Sequence, residues 1–202
     1  MLYRILWWLV RPILFLLGLR SEGATNNIPA KGPLIVVANH VSAWDPIMVA
    51  AVFKRQIHFM AKAELFNYKI LGKLIKSLNA FPVKRGAADR KAIRESISIL
   101  EQGLILGMFP EGSRNKTNKE VKAQLGVAMI ALKTGAPVIP VACIGTDSAF
   151  PIGWFRPLKV KVGQPIKLEE FKDKRVNSAI MAEVSDIIDK EINALLEEEA
   201  GI

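Results

Sequence analysis

Three short runs of almost unbroken apolar residues, Leu34–Ala38, Leu104–Phe109 and Pro137–Ile144, constrain this chain more than any other feature. A strand with one wet face alternates polar and apolar residues, whereas a run that is apolar throughout must be covered on both sides. Helix-forming stretches lie between these runs. Asp45–Phe53 opens with Asp-Pro, and Ala88–Gln102 repeats Ile93, Ile97 and Leu100 at helical steps before Gly103. Gln124–Thr134 is read as helix with Gly135 as its stop, and a last helix over about 175–199 carries the stripe Ile180, Val184, Ile187, Ile188, Ile192, Leu195 and Leu196. Strands alternating with helices define an α/β fold, with a central, largely parallel or mixed sheet flanked by helices.

Weaker signals fill in the rest. Ile57–Ala61 and Ala80–Val83 read as strands, and 64–78 as helix broken at Gly72. Leu158–Val162 alternates with Lys159 and Lys161, which predicts one wet side and a place nearer the sheet edge. Residues 21–33 read as a linker. The domain organisation expected is a lead over 1–20 and one α/β domain over 21–202.

The 28 Lys and Arg against 19 Asp and Glu leave a net charge of +9, which favours an anionic partner. That excess is uneven: 61–123 holds thirteen basic and six acidic residues, and 166–202 is net −5. No Lys/Arg cluster sits on a recognition helix or an aromatic-basic strand pair, so no nucleic-acid partner is expected. A single cysteine, Cys143, excludes an internal disulfide, and two histidines exclude a three-histidine metal site.

The lead, MLYRILWWLVRPILFLLGLR, mixes Leu, Ile, Trp and Phe with three Arg and no acid. Its longest uncharged stretch is the eight residues Pro12–Leu19, too short to span a bilayer. It reads as a hydrophobic helical membrane-interface segment. Trp7 and Trp8 are expected at headgroup depth and Arg4, Arg11 and Arg20 toward anionic lipid, the alternative being a terminal helix docked on the core.

Two polar clusters follow apolar strands, where open α/β sheets carry their chemistry. The first is NHVSAWD, Asn39 to Asp45. A histidine just past a strand and a carboxylate at a helix start can close into a hydrogen-bonded pair, freeing the other ring nitrogen to take a proton from an alcohol. A surface His and an ordinary capping Asp would show the same spacing. Ser42 competes as a nucleophile, but the chain has no G-x-S-x-G elbow. The second cluster is FPEGSRNKT, Phe109 to Thr117, in which Arg114 suits a phosphate dianion and Glu111 a substrate hydroxyl or a basic residue.

Together with MAKAELF (60–66), FPVKRG (81–86) and TGAPVIPVA (134–142), in this order, these blocks resemble the glycerolipid acyltransferase family over about residues 20–165. The resemblance implies His40 as general base and Asp45 as its orienting partner. It implies Lys62, Arg85, Glu111, Gly112 and Arg114 as substrate-binding residues, with Ile139 and Pro140 shaping the acyl-donor side. Asn79, Pro82 and Lys84 depart from the usual form of the second block, which bears on the acceptor rather than the reaction. The implied reaction moves a fatty acyl group from acyl-CoA or acyl carrier protein to the sn-2 hydroxyl of lysophosphatidate, with no metal or cofactor. It would take place at an anionic membrane surface on the cytoplasmic face of the cell membrane, the protein peripheral or monotopic. Transfer to glycerol 3-phosphate or another lysophospholipid, and a catalytically silent lipid-surface protein, are the competing expectations.

Overall fold

The structure, a computed structural model, describes residues 2–84, 89–110, 118–147, 152–154, 156–166, 168–171 and 174–200. Helix α1 (Leu2–Leu16) leads into strand β1 (Leu19–Gly23), then β2 (Leu34–Ala38), α2 (Asp45–Val52) and β3 (Ile57–Lys62). A 3-10 turn over Ala63–Asn67 precedes α3 (Lys69–Ser77), β4 (Phe81–Val83), α4 (Arg90–Glu101) and β5 (Ile105–Met108). Helix α5 (Asn118–Thr134), β6 (Val138–Ile144), β7 (Leu158–Val162) and α6 (Ser178–Ala200) complete the order.

The seven strands form one sheet in the order β1-β7-β6-β2-β5-β3-β4. Every neighbouring pair is parallel except β6 and β7. The sheet is therefore mixed, and the five strands from β6 to β4 present their carboxyl ends along one edge. Strand β2 lies in the middle and all five of its residues are buried. Leu34, Val36 and Ala38 face a core shared with α1 and α2, while Ile35 and Val37 face one built from α4, α5 and α6. The unbroken apolar run thus reports burial on two faces.

Four expectations change. The stretch read as a linker from residue 21 begins inside β1, which pairs with β7 in a parallel ladder while its polar side chains hide the strand from any apolar pattern. Strand β7 does lie near the edge, second in the sheet with β1 outside it, but the expected wet side does not hold. Its lysines are largely covered: the Lys161 side chain is 10% exposed and pairs with Glu198 at 3.6 Å, and Lys159 pairs with Glu22 at 3.3 Å. Helix α3 runs straight through Gly72. The break falls at Tyr68, and Gly72 is there because a Cβ would run into the Phe66 carbonyl. Helix α5 begins at Asn118, six residues before the expected start.

The lead docks differently from the expectation. Trp7 donates its indole N–H to the carbonyls of Ala50 and Phe53 at 3.0 and 3.1 Å, and Arg11 donates to Ala51 at 3.0 Å. These donors meet carbonyls that the end of α2 leaves without intrahelical partners. Arg11 also lies over the rings of Trp7 and Phe15 at 5.1 and 4.9 Å. Trp7 and Arg11 are accordingly turned inward. The outward stripe is Leu2, Ile5, Leu9, Ile13 and Leu16, all exposed, with Trp8 beside it. Among the described residues, no helix is long and apolar enough to cross a membrane.

Candidate active site

Strand β2 ends at Ala38, and the chain turns through Asn39–Trp44 into the start of α2. Asn39 is buried and bolts this turn to β6: its Oδ1 accepts the Cys143 N–H at 2.7 Å and its Nδ2 donates to the Cys143 carbonyl at 3.0 Å. That reciprocal pair extends the β2–β6 contact one residue past the ladder and fixes where His40 leaves the sheet.

Asp45 is completely buried, at the first position of α2. Its Oδ2 accepts three hydrogen bonds: from the Val41 N–H at 2.8 Å, the Ser42 N–H at 2.7 Å and His40 Nδ1 at 2.9 Å. The two backbone donors hold the carboxylate where a helix N-terminus already favours negative charge. A carboxylate acceptor puts the imidazole proton on Nδ1, which leaves the Nε2 lone pair free. The His40 side chain is 26% exposed, so this free nitrogen belongs to a group that solvent and ligands can reach.

The imidazole is also packed on one face. Phe109, one residue past β5, lies against it with ring centroids 4.6 Å apart, and Phe59 of β3 stacks on Phe109 at 5.6 Å. Gly107 makes this possible. It sits opposite Phe59 in the parallel ladder, and a Cβ there would overlap the Phe59 ring. The sequence clusters contained Asn39 and Phe109 without giving either a role, and Phe59 lay outside them. The signal in the sequence was Gly107 inside an otherwise bulky apolar run; its register with Phe59 is set by the sheet.

The site's electrostatics reach Cys143. Burial pushes its thiol well above the ordinary value, and the nearby Asp45 charge adds to the shift. A buried thiol held neutral is an inert packing group, not a nucleophile. Ser42 is buried and its Oγ accepts the Trp44 N–H at 3.3 Å, a bond within the loop.

Lys62 ends β3 at the same sheet edge as His40 and pairs with Glu64 at 4.0 Å. The chain enters residues 111–117 from the end of β5, and 85–88 from the end of β4. Arg85, Glu111, Gly112 and Arg114 lie outside the described residues. Among the described residues no group of three His, Cys, Asp or Glu side chains could hold a metal.

A family model described as Acyltransferase matches residues 21–144. The 1-acyl-sn-glycerol-3-phosphate acyltransferase of Bacillus subtilis (strain 168) is 33% identical over 148 residues, which cover 72% of this chain and 73% of that protein. The enzyme of the same name from Streptococcus pneumoniae (strain ATCC BAA-255 / R6) is 33% identical over 177 residues, 86% of this chain and 65% of its own length. The crystal structure of the 1-acyl-sn-glycerophosphate (LPA) acyltransferase PlsC from Thermotoga maritima superposes with a TM-score of 0.62 at 29% identity, covering 90% of this chain and 72% of that one. The chain belongs to the acyltransferase family and is an enzyme of that family.

Proposed function

We propose that this enzyme transfers a fatty acyl group from an acyl thioester to the free sn-2 hydroxyl of 1-acylglycerol 3-phosphate, giving phosphatidate. The observation that carries the reading is the His40–Asp45 pair at the carboxyl edge of the sheet, with Nε2 free. Its support from relatives is their printed activity, 1-acyl-sn-glycerol-3-phosphate acyl transfer.

In this reading His40 Nε2 takes the hydroxyl proton as the oxygen attacks the thioester carbonyl. Asp45 stabilises the imidazolium that forms, and the fixed Nδ1 bond holds the ring in line. Collapse of the tetrahedral intermediate breaks the C–S bond, and the proton held by His40 leaves with the thiolate. The products are an ester and a free thiol on CoA or acyl carrier protein, and no resident cofactor enters. Arg85, Glu111, Gly112 and Arg114, with Lys62, bind the acceptor, the arginines gripping its phosphate. Residues 1–20 form a membrane-interface segment on the single domain of 21–202, holding the enzyme peripherally at the anionic cytoplasmic face of the cell membrane. The outward apolar stripe of α1 supports that placement.

The test is a purified-enzyme assay offering lysophosphatidate, glycerol 3-phosphate and other lysophospholipids, each with labelled acyl-CoA and acyl-acyl carrier protein. Product only with lysophosphatidate supports the reading; equal or better use of another acceptor overturns the acceptor assignment.

A further inference from the structure

Helix α3 is amphipathic, and much of its apolar arc is exposed beside its lysines. Only Gly72 of its nine residues is buried, pinned against the Phe66 carbonyl. On a helical projection Lys69, Lys73 and Lys76 lie on one flank of Gly72, and Ile70, Leu74 and Leu71 continue the arc beyond them to the half-buried Ile75 on the other flank. All three lysines are exposed, on the flank that borders the groove toward α4. There they line a cavity of about 800 Å3 with Lys91 and Glu95 of α4 and His58 of β3. None of these four lysines has an ion pair among the described residues. Much of the apolar arc is open to solvent: Ile70 is 86% exposed, and Leu71, Leu74 and the preceding Tyr68 are exposed with it, while Ile75 is half-buried.

A helix that leaves its apolar face in water carries a cost that burial elsewhere must remove. We propose that α3 is a lipid-contacting helix: Ile70, Leu71 and Leu74 enter the acyl-chain boundary of an anionic bilayer, and the row Lys69, Lys73 and Lys76, with Lys91, takes lipid phosphate at the mouth of the cavity. Charge complementarity selects this occupant, because four lysines against Glu95 leave the cavity basic. A soluble phosphate would answer the lysines and leave the apolar arc wet. An acidic protein surface would do the same for Ile70 and Leu74. A lipid surface satisfies both at once, as basic residues bordering an apolar arc do at interfaces. This contact is separate from α1, and it does not rest on the acyl-transfer reading.

The experiment uses the full chain with Ile70→Cys carrying an environment-sensitive fluorophore; Cys143 is buried and escapes the label. Vesicles of phosphatidylcholine with phosphatidylglycerol should shift the emission to the blue, and vesicles of phosphatidylcholine alone should shift it much less. Lys69→Gln with Lys73→Gln and Lys76→Gln should weaken binding to the anionic vesicles by about tenfold or more, with the thermal melt unchanged. Ile70→Ser with Leu74→Ser should weaken binding at high salt, where the lysine contribution is screened. No blue shift while the protein sediments with anionic vesicles would overturn the proposal. So would a response to inorganic phosphate, or to acyl carrier protein, without one to vesicles. Binding is read without substrate, so failure here leaves the acyl-transfer assay unaffected.

Discussion

His40 Nδ1 lies 2.9 Å from Asp45 Oδ2, an oxygen that also accepts the Val41 and Ser42 N–H groups. One buried atom thus organises the loop backbone and the imidazole together. Asp45→Asn keeps one oxygen for the two backbone donors, but its amide cannot stabilise an imidazolium. It should retain a near-native melt while kcat falls roughly 10²-fold or more. Activity above a tenth of wild type in the folded variant would remove the carboxylate from the account.

Asn39 should matter to stability first. Asn39→Ala removes both bonds to Cys143 and leaves its buried N–H and C=O without that partner, a cost of about 2 kcal/mol. For a domain of this size that lowers Tm by about 4–8 °C. A thermal melt that matches wild type would show that the bolt is dispensable.

Phe109 should matter to turnover. Phe109→Leu removes the aromatic face against His40 and frees the ring to turn away from the acceptor. The expected signature is a kcat lowered roughly tenfold, in keeping with the energy of one aromatic contact, and little change in either KM. An effect confined to KM would make Phe109 a substrate contact instead of a positioning group.

His58 sets a pH dependence of stability. Burial pulls its pKa below the ordinary 6.5, against smaller opposing effects of the Ile105 carbonyl and Glu95. The unfolded chain takes up a proton below pH 6.5 when the folded protein does not, so stability should fall as pH drops through that range. It should be fully present above pH 6.5. Melts from pH 7.5 down to 5 on wild type and His58→Gln test this, and parallel curves would refute it.

The α/β architecture was legible because β2, β5 and β6 are covered on both faces, and such strands must be apolar throughout. The turn from His40 to Asp45 was legible too, since a strand end and a helix start bracket it. Other features leave no local trace. Strand β1 is polar and is held by backbone bonds to β7, far along the chain. The partner of Asn39 is 104 residues away. Helix α1 is apolar on nearly every side, so no periodicity could say that Trp7 and Arg11 turn inward. In α3 the pattern was visible, but the Gly72 contact with the Phe66 carbonyl that seats the helix is tertiary.

The most direct test of the central claim, that His40 is the general base, is the turnover of purified His40→Ala on lysophosphatidate and acyl-CoA, with a thermal melt of the same sample. The account predicts a native-like melt and a kcat lowered by roughly 10²–10⁴-fold. A folded His40→Ala protein that keeps more than a tenth of wild-type turnover would contradict it.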